Sequence, residues 1–385
     1  MKRLLTLGHS YVVATNRRLA QAMAQAGAGE WEVTSAGPAS FPGDLGPITL
    51  HAAPGERVEA LTVHGAGRIH AMRYGAELRA LLRRGWDVVH CWEEPFILAG
   101  AQVAAWTPRE AKLVFATFQN LPKRYPPPFG WMERYAMRRA DGWIAFGRLV
   151  EQVLAPRPRY ARRPHRVIAP GVDTALFRPD PEAGVRVRAS LGWMEDDDRP
   201  VAGYLGRFIP EKGLETLMRA LDGCGQPWRA LFVGGGKMEA ELRAWAARHG
   251  DRVRVVTGVS HEAVPDYLNA MDLLCAPSRT TPRWQEQLGR MLTEAMACGV
   301  PVIGSDSGEI PHVLADAGMI APEDDVAAWT RAIDTLLASA ARRADLGARG
   351  RSRAAAEYAL DVCARRHLDF FDSLLRVAGS SPSGH

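Results

Sequence analysis

Short runs of Val, Ile and Leu alternate along the chain with longer stretches in which apolar residues recur at helical spacing. Uninterrupted apolar runs are typical of parallel strands that are buried on both faces, and the longer stretches are typical of the covering helices. The pattern therefore predicts an α/β protein with doubly wound parallel sheets. The candidate strands are Arg3–Leu7, Trp86–His90, Leu113–Thr117, Trp143–Phe146, Arg166–Ile168, Val201–Leu205, Ala230–Val233, Val253–Val256, Asp272–Cys275 and Val302–Gly304. The candidate helices are Asn16–Gln25, Tyr74–Arg83, Pro95–Ala105, Trp131–Arg139, Leu214–Leu221, Met238–His249, Glu262–Ala270 and Leu288–Cys298.

The length of 385 residues is enough for two domains that each bury a core. A polar segment with several prolines, Pro170–Pro181, fits neither period and marks the boundary. We predict an amino-terminal domain over residues 1–172, a second domain over 173–358 and a disordered Gly- and Ser-rich tail over 379–385. Because open parallel sheets bind ligands beyond the carboxyl ends of their strands, two such domains facing each other would share one ligand-binding cleft.

Composition narrows the class of protein. Hydrophobic residues make up 47% and charged residues 24% of the sequence, which excludes disordered, collagen-like and low-complexity proteins. The longest uncharged stretch, Pro95–Pro108, is shorter than the roughly 18 apolar residues of a membrane-spanning helix, so no span is predicted. Five scattered cysteines without a C-x-x-C pair predict a cytoplasmic location and no metal site.

Several familiar catalytic motifs are missing from the sequence. No G-x-G-x-x-G follows a candidate strand, which argues against a nicotinamide or flavin dehydrogenase. Gly234–Lys237 lacks the spacing of a P-loop, and Asp306 lies where a nucleophile-elbow serine would be needed. His261-Glu262 lacks the second histidine of a zinc peptidase. The acidic run Glu195–Asp198 contains D-x-D, but its place between a helix and a strand predicts a solvated turn.

The segment Gly203–Gly213 combines the end of a strand with two cations. The predicted strand ends at Gly206, and Arg207 and Lys212 follow it in the loop before a helix. Glycine lets the backbone approach a ligand, and a helix N-terminus flanked by cations binds anions. A diphosphate would suit this segment, and the alternative is a pair of solvated cations beside a turn.

Two carboxylates lie close to the start of the helix that is predicted to begin near Leu288. Glu286 would lie at the mouth of this helix and Glu294 one to two turns inside it. Eight helical residues span about 12 Å, so the two carboxylates could contact different parts of one extended ligand. Carboxylates accept hydrogen bonds well from paired sugar hydroxyls. The alternative is an ordinary helix start in which Glu294 forms an ion pair with Arg290.

In their order and spacing, these residues resemble the retaining glycosyltransferases of family four, across roughly residues 170–322. The resemblance is carried by Gly206-Arg207, Glu211-Lys212-Gly213, Phe232–Gly236, Pro277-Ser278, and Glu286-x7-Glu294 followed by Ala295–Pro311. It implies the GT-B fold, in which two Rossmann-like domains face each other across a cleft, and a last helix over 359–378 that crosses back to the first domain. It also implies a nucleotide diphosphate sugar as donor and a glycan or lipid-linked acceptor bound by the amino-terminal domain.

The resemblance implies a role for each matching position. Arg207 and Lys212 would hold the donor diphosphate and stabilise the leaving group without a metal ion or other cofactor. Glu286 would contact hydroxyls of the donor sugar and completes the catalytic set. The other donor-binding positions are Glu294 at the ribose, Leu288 and Gly289 at the sugar-phosphate region, Gly258 and Val259 near the base, and Gly206. No side chain is assigned as general base, because in this family a diphosphate oxygen is held to accept the proton of the acceptor.

The first domain departs from the family pattern. The first loop reads Gly8-His9-Ser10-Tyr11, and Gln119 lies where the family commonly has a histidine. Gln119 cannot carry a proton, although its amide can bond a sugar hydroxyl. His9 is either a compensating group or a structural loop residue. Glu93 is well placed for the cleft, and an ordinary helix N-terminus is its simpler interpretation.

Basic residues are concentrated in one part of the chain. Residues 121–170 contain eleven Lys and Arg against three acids, a net charge of +8, whereas the whole chain carries +5. Aromatic residues between these cations suit an anionic membrane surface or a lipid-diphosphate acceptor, so we predict peripheral contact with the inner face of the cytoplasmic membrane. No nucleic-acid module is recognisable, and no specific nucleic-acid binding is predicted. A nucleotide-sugar epimerase of the GT-B fold and a noncatalytic nucleotide-sugar binding protein stay open as alternatives.

Overall fold

The structure is a computed structural model that describes residues 1–43, 46–193 and 198–379. The residues Glu195–Asp197 of the acidic run and the predicted tail beyond Gly379 lie outside these ranges. The strands are β1 (Lys2–Leu7), β2 (Trp31–Pro38), β3 (Ser40–Gly43), β4 (Gly46–Thr49), β5 (Val58–Leu61), β6 (Val63–His64), β7 (Arg73–Tyr74), β8 (Val88–Cys91), β9 (Lys112–Thr117), β10 (Gly142–Ala145), β11 (His165–Val167), β12 (Val201–Arg207), β13 (Arg229–Gly235), β14 (Val253–Val256), β15 (Leu273–Ala276), β16 (Val302–Ser305) and β17 (Met319–Ala321). The α-helices are α1 (Ala14–Ala26), α2 (Glu77–Leu82), α3 (Leu98–Trp106), α4 (Phe129–Arg139), α5 (Arg148–Leu154), α6 (Pro158–Ala161), α7 (Pro181–Ser190), α8 (Leu214–Asp222), α9 (Glu239–Ala247), α10 (Val264–Asn269), α11 (Arg290–Ala297), α12 (Ile310–Leu314), α13 (Val326–Leu337), α14 (Ala340–Arg353) and α15 (Leu360–Gly379).

The chain divides into two compact units. Unit 1 comprises Met1–Pro170 together with the chain from Leu360 onward, and unit 2 comprises Gly171–Ala359. The divisions therefore fall after Pro170 and Ala359, against predicted divisions after residues 172 and 358. At the border of unit 2, the entering and leaving segments are neighbours, because the Val172 N–H donates to the Tyr358 carbonyl at 2.7 Å.

Within the described residues, unit 1 has a seven-stranded parallel sheet in the order β11-β10-β9-β8-β1-β2-β5. The strand order reverses between β1 and β8. Neighbouring residues of β1 enter different cores: Leu4 packs in a cluster with Leu19 of α1, whereas Leu5 packs in a cluster with Leu78 of α2. Both faces of the sheet are thus covered, which explains the uninterrupted apolar runs.

Unit 2 repeats this arrangement with a parallel sheet in the order β14-β13-β12-β15-β16-β17, as far as the described residues show. Its order reverses between β12 and β15. Large aromatic side chains fill the core of one face, among them Tyr204, Phe232 and Trp329. In sheets of this kind, the loops after the two strands at the reversal form the ligand-binding crevice. The loops after β1 and β8 in unit 1, and after β12 and β15 in unit 2, are therefore the candidate ligand-binding loops.

The last helix, α15, belongs to the core of unit 1. It packs along α1, and its Cys363 and Phe371 lie in the cluster that also contains Leu4. The Lys2 ammonium donates to the Asp372 carboxylate at 2.5 Å. The beginning and the end of the described chain therefore complete the same face of one sheet.

The predicted strands are all present, but the structure also holds elements that were not predicted. The clearest is β2, a buried strand next to β1 in which Thr34 and Ser35 interrupt the apolar run. The helix predicted from Tyr74 begins at Glu77, because Tyr74 pairs with β6 as part of β7. The helix predicted from Leu288 begins at Arg290, because Gly289 adopts a left-handed backbone with φ of 71°.

Candidate functional site

The predicted catalytic residues of unit 2 gather at the reversal of its sheet. Lys212 follows β12 and Glu286 follows β15, and Nζ of Lys212 lies 2.5 Å from Oε2 of Glu286. The two side chains are only 11% and 8% exposed. Ser278 Oγ donates to the same carboxylate oxygen at 2.7 Å, and the Trp284 ring lies 5.3 Å from the ammonium. The sequence predicted both charged residues at the site but not their ion pair, and it gave Ser278 and Trp284 no role in holding them.

Gly213 brings the two loops of this pair into contact. Its φ is 69°, and a Cβ atom at this position would lie 1.8 Å from the Pro277 carbonyl oxygen. Only glycine fits such an approach with a left-handed backbone. The Arg279 N–H donates to the Glu211 carbonyl at 2.8 Å and joins the same two loops a second time. This packing fixes Lys212 opposite Glu286.

The loop after β16 supports Glu286 from another direction. Gly308 has φ of 58°, and a Cβ atom there would lie 2.0 Å from the Glu286 carbonyl oxygen. The Glu309 N–H donates to that oxygen at 3.1 Å, and Ser305 Oγ donates to the Ser278 carbonyl at 2.5 Å. The loops after β12, β15 and β16 therefore contact one another and position the backbone of the buried ion pair.

Arg207 is the last residue of β12, rather than part of the loop that was predicted to contain it. Its side chain is exposed and forms no ion pair within the part of the chain that the structure describes. Gly206 has φ of 149°, and a Cβ atom on Gly234 would lie 1.8 Å from the Gly206 carbonyl oxygen. The ends of β12 and β13 thus pack closely on each other, and the Arg207 side chain at the end of β12 is exposed.

The remaining donor-binding candidates lie on α11 and in the loop after β14. Glu294 is buried within α11, and its Oε1 lies 3.8 Å from Arg290 Nε, so the ion pair considered as an alternative is present. Leu288 is buried, and Gly289 is the residue before α11, so Glu286 precedes the helix, as predicted, although the helix begins two residues later than predicted. Gly258, with φ of 73°, is exposed, and Val259 is half-buried. Among the described residues, no group of three or more His, Cys, Asp and Glu is arranged to hold a metal ion.

A second polar cluster lies at the reversal of the sheet in unit 1. Glu93, after β8, is fully buried; its Oε1 accepts hydrogen bonds from the His9 N–H at 2.5 Å and from the Tyr74 hydroxyl. Its Oε2 lies 2.7 Å from His9 Nδ1. Gly8 allows this approach, because a Cβ atom there would lie 2.7 Å from Trp92 Cβ. The interpretation of Glu93 as a helix N-terminus is wrong, since α3 begins at Leu98 and the Glu93 carboxylate is occupied by the β1 loop.

The pKa values of His9 and of Glu94, the neighbour of Glu93 in sequence, are both raised, but for different reasons. Burial alone would lower the pKa of His9, but the Glu93 carboxylate outweighs it and the pKa is raised. Burial raises the pKa of the neighbouring Glu94 to about 6, although Thr117 and the Phe118 N–H donate to its carboxylate. Gln119 Oε1 accepts from Arg157 at 3.0 Å, whereas its buried Nε2 has no hydrogen-bond partner in the described part of the chain.

The exposed side of α4 carries aromatic and cationic residues together. Trp131 and Tyr135 are 60% and 43% exposed, and Arg134 and Arg138 lie on the same exposed face at helical spacing. Partial burial and the charges of Arg134, Arg138 and Arg162 lower the pKa of Arg159 against the opposing charge of Glu133, so Arg159 and Arg162 are neighbours of α4 on this part of the surface. We call this surface, made of Trp131, Arg134, Tyr135, Arg138, Arg159 and Arg162, the arginine face. No helix in the described part of the chain is both long and apolar enough to cross a membrane.

Two parallel sheets, each with charged loops at a strand-order reversal, define the class of Rossmann-like two-domain proteins. Residues 12–176 match the family described as Glycosyltransferase Family 4, and residues 192–353 match Glycosyl transferases group 1. The chain is 31% identical over 257 residues to the lipopolysaccharide core biosynthesis mannosyltransferase LpsB of Rhizobium meliloti, a match that covers 63% of this chain and 71% of that protein. This chain belongs to glycosyltransferase family 4.

A second relative is similar in sequence, and a solved structure is similar in fold. The chain is 38% identical over 193 residues to a GDP-mannose-dependent α-(1-6)-phosphatidylinositol monomannoside mannosyltransferase of Mycolicibacterium smegmatis, a match of 48% of this chain and 50% of that protein. The match thus spans half the length of this relative. Sucrose-phosphate synthase of Thermosynechococcus elongatus has a similar fold, with a TM-score of 0.75 and 22% identity over 98% of this chain and 100% of that one. The predicted fold class, two Rossmann-like domains of the GT-B type, is confirmed.

Proposed function

We propose that this chain is a retaining, metal-independent glycosyltransferase that moves a sugar from a nucleotide diphosphate sugar to a lipid-linked or membrane-associated glycan acceptor. The observation that carries the proposal is the Lys212–Glu286 pair at the strand-order reversal of unit 2. A cation for the diphosphate and a carboxylate for the sugar hydroxyls are held there side by side, where sheets of this type bind nucleotides.

Lys212 and Arg207 supply the positive charge for the diphosphate. A lysine ammonium has three donors, and one of those of Lys212 is directed at Glu286. The remaining donors, together with the exposed Arg207 guanidinium at the end of β12, can bond the phosphate oxygens. The largely buried Lys212 ammonium, held by Glu286, and the exposed Arg207 guanidinium stabilise the charge that develops on the leaving diphosphate, which is the work of a divalent ion in other transferases.

The two carboxylates take the hydroxyl groups of the donor. Both the Lys212 ammonium and the Ser278 hydroxyl are directed at Oε2 of Glu286, which orients the carboxylate toward a sugar hydroxyl. Glu294, on the first turns of α11, binds the ribose, and the backbone at Leu288 and Gly289 meets the sugar phosphate. Gly206 permits close approach of the phosphates, and Gly258 and Val259 lie near the base.

The attacking hydroxyl transfers its proton to the departing diphosphate oxygen, so the new bond forms on the face that the leaving group vacates.

The relatives suggest which substrates to try first. One is named as GDP-mannose-dependent and acts on phosphatidylinositol monomannoside, and another is named as a lipopolysaccharide core mannosyltransferase. GDP-mannose is therefore the first donor to test, with phosphatidylinositol monomannoside as the first acceptor.

The arginine face supports peripheral binding of a cytoplasmic enzyme at the inner face of the membrane. Exposed Trp131 and Tyr135 suit the interfacial layer of a bilayer, and the surrounding arginines suit anionic headgroups. Sedimentation with phosphatidylglycerol vesicles tests this directly. Binding should be lost when Arg134, Arg138 and Arg159 are replaced together by Gln, and retained when the exposed Arg331, Arg342 and Arg351 of unit 2 are replaced instead. Equal binding by both triple variants would contradict the docking surface.

The donor site is tested by calorimetric titration with UDP, GDP and ADP, without added metal, of the wild type and Glu294→Ala. The expected result is binding of one nucleotide by the wild type and its loss in the variant. Product formation from the matching nucleotide sugar then separates the transferase from a noncatalytic binding protein, and the absence of an isomerised donor separates it from an epimerase. Failure of all three nucleotides to bind would overturn the proposed donor site.

A further inference from the structure

The strongest unassigned feature is the hydrogen-bonded set of His9, Glu93 and Tyr74 in unit 1. It occupies the reversal between β1 and β8, which corresponds to the place of Lys212 and Glu286 in unit 2. Both units therefore place a nitrogen donor and a buried carboxylate across the strand-order reversal. Since ligands bind at this position in open α/β sheets, unit 1 has the geometry of a second ligand-binding site.

Glu93 determines which nitrogen of His9 is available to a ligand. Its fully buried carboxylate receives the His9 N–H, the His9 Nδ1 group and the Tyr74 hydroxyl, so the imidazole is held by its backbone and by one ring nitrogen. Nδ1 carries a proton in this arrangement. Nε2 has no hydrogen-bond partner among the described residues, and the side chain is 31% exposed. The ring thus presents Nε2 to a ligand in a fixed orientation.

We propose that Glu93 positions His9 so that Nε2–H donates a hydrogen bond to a hydroxyl oxygen of the acceptor. This inference rests on the proposed glycosyl transfer. His9 contacts the acceptor, and Glu93 is a positioning residue that acts through His9.

The surroundings of His9 favour a sugar or polyol ring over a phosphate. The carboxyl groups of Glu93 and Glu94 both act on His9, and negative charge behind the imidazole disfavours an additional anion. The Phe41 ring lies 5.4 Å from the imidazole and provides an apolar surface for the face of a sugar ring.

The test measures the acceptor KM as a function of pH with GDP-mannose and the water-soluble, deacylated headgroup of phosphatidylinositol monomannoside. His9→Ala should raise the acceptor KM by about 10- to 100-fold, the value of a hydrogen bond from a charged donor, while calorimetric nucleotide binding in unit 2 stays unchanged. In the wild type, the acceptor KM should rise as pH increases through the His9 pKa, because the charged donor becomes neutral. Glu93→Gln should move this rise to lower pH, because the carboxylate that favours the imidazolium is gone.

Matched variants in unit 1 control for the substitutions themselves. His64→Ala replaces an exposed histidine of β6, and Glu110→Gln replaces an exposed glutamate before β9, so both should behave like the wild type. Should Glu93→Gln fail to fold, His9→Ala and the wild-type pH profile still decide the contact with the acceptor.

The outcomes separate this inference from the proposed function. An unchanged acceptor KM in His9→Ala, or a pH profile that Glu93→Gln leaves in place, would overturn it. If the wild type transfers no sugar, the proposed function fails on its own, and nuclear magnetic resonance of the imidazole decides the site. The His9 signals, identified by their loss in His9→Ala, must then shift when the same headgroup is added, and constant signals would overturn the inference.

Discussion

In the proposed function, the buried pair of Lys212 and Glu286 serves both folding and chemistry. Taking two charges out of water is costly, and their attraction offsets this cost only with good geometry and further hydrogen bonds. The pair has both, since the ammonium and carboxylate lie 2.5 Å apart and Ser278 donates to the same oxygen. Removal of one partner leaves the other charge buried, so activity and stability have to be measured together.

Lys212→Ala should lower kcat by about 100- to 1000-fold, the effect of removing one charge-stabilising donor from a transition state. The free energy of unfolding should fall as well, because the Glu286 carboxylate stays buried without its cation. Steady-state kinetics and chemical denaturation measure the two effects.

Lys112→Ala is the matched control for this change, because it removes the ion pair with Asp141 at 3.3 Å in unit 1. It should leave kcat at the wild-type value. Wild-type turnover by Lys212→Ala would contradict the assignment of the diphosphate site.

Glu94 gives a prediction for the dependence of stability on pH. Its pKa in the folded state is raised to about 6 from 4.5, so the folded protein holds this proton more tightly than the unfolded chain. The stability that the protonated group contributes is present below pH 4.5 and is lost as pH rises through about 6. A shift of this size corresponds to about 2 kcal/mol.

Glu94→Gln should therefore remove this loss, because the amide is neutral at every pH and can still accept from the Phe118 N–H. Urea denaturation at pH 4.5 and pH 7 measures the difference. Parallel stability curves for the wild type and the variant would show that Glu94 is not the titrating group.

At the residue scale, the sequence predicts candidate site residues where they belong to one local motif. Arg207, Lys212, Glu286 and Glu294 follow from spacing and resemblance within one continuous region. The contact of Tyr74 with Glu93 could not be predicted, because Tyr74 reaches the carboxylate only through the two-residue strand β7. No periodicity is visible in an element of that length.

At the element scale, strands and helices were likewise predictable where a local sequence pattern marks them, and not where their form depends on backbone geometry or on distant partners. The predicted strands have apolar side chains on both faces. In contrast, β2 contains Thr34 and Ser35, so its sequence has no uninterrupted apolar run. These polar residues are tolerated because partners are close; for example, the Ser35 N–H and hydroxyl both donate to the Arg57 carbonyl, at 2.9 Å and 3.3 Å. The start of α11 was placed two residues early for a related reason, since the left-handed backbone of Gly289 is not visible in its identity.

The junction between β12 and α8 gives a prediction at this scale. Gly213→Ala should destabilise unit 2 by at least about 2 kcal/mol, because the left-handed backbone and the contact with the Pro277 carbonyl both oppose a side chain. Nucleotide binding should weaken with it, as the loop no longer holds Lys212 opposite Glu286. Thermal unfolding and calorimetric titration measure the two effects.

Gly235→Ala is the control within the same sheet, because a Cβ atom there has open space around it. It should retain the stability and the nucleotide affinity of the wild type. Equal behaviour of the two variants would show that the close approach at Gly213 does not hold the loops together.

At the scale of the whole molecule, the fold class was predictable because it depends on the repeated alternation of strands and helices. The chain path is less regular than that alternation, since α15 completes unit 1 after unit 2 has been inserted between residues 170 and 360. Phe370, Phe371 and Leu374 of α15 lie in the same core as Leu4 and Val88.

Truncation after Ala359 should therefore destabilise unit 1 and leave unit 2 folded. Hydrogen exchange should show loss of protection in β1 and β8, while β12 and β13 keep theirs, because α15 packs in the described cluster around Leu4 and not in the described cluster around Tyr204 and Phe232. Removal of residues 380–385 alone is the control and should change neither. Uniform loss of protection in both units would contradict the division of the chain.

The return of α15 also sets an order of events during synthesis. A ribosome releases the strands of unit 1 first, yet the apolar face that α1 shares with α15 stays uncovered until residues beyond Leu360 have been made. Unit 2 is continuous over Gly171–Ala359, so its whole sequence has been made before unit 1 can close. The first half of the nascent chain is thus the last to finish folding, and in the meantime its open apolar face is a surface for a chaperone to protect.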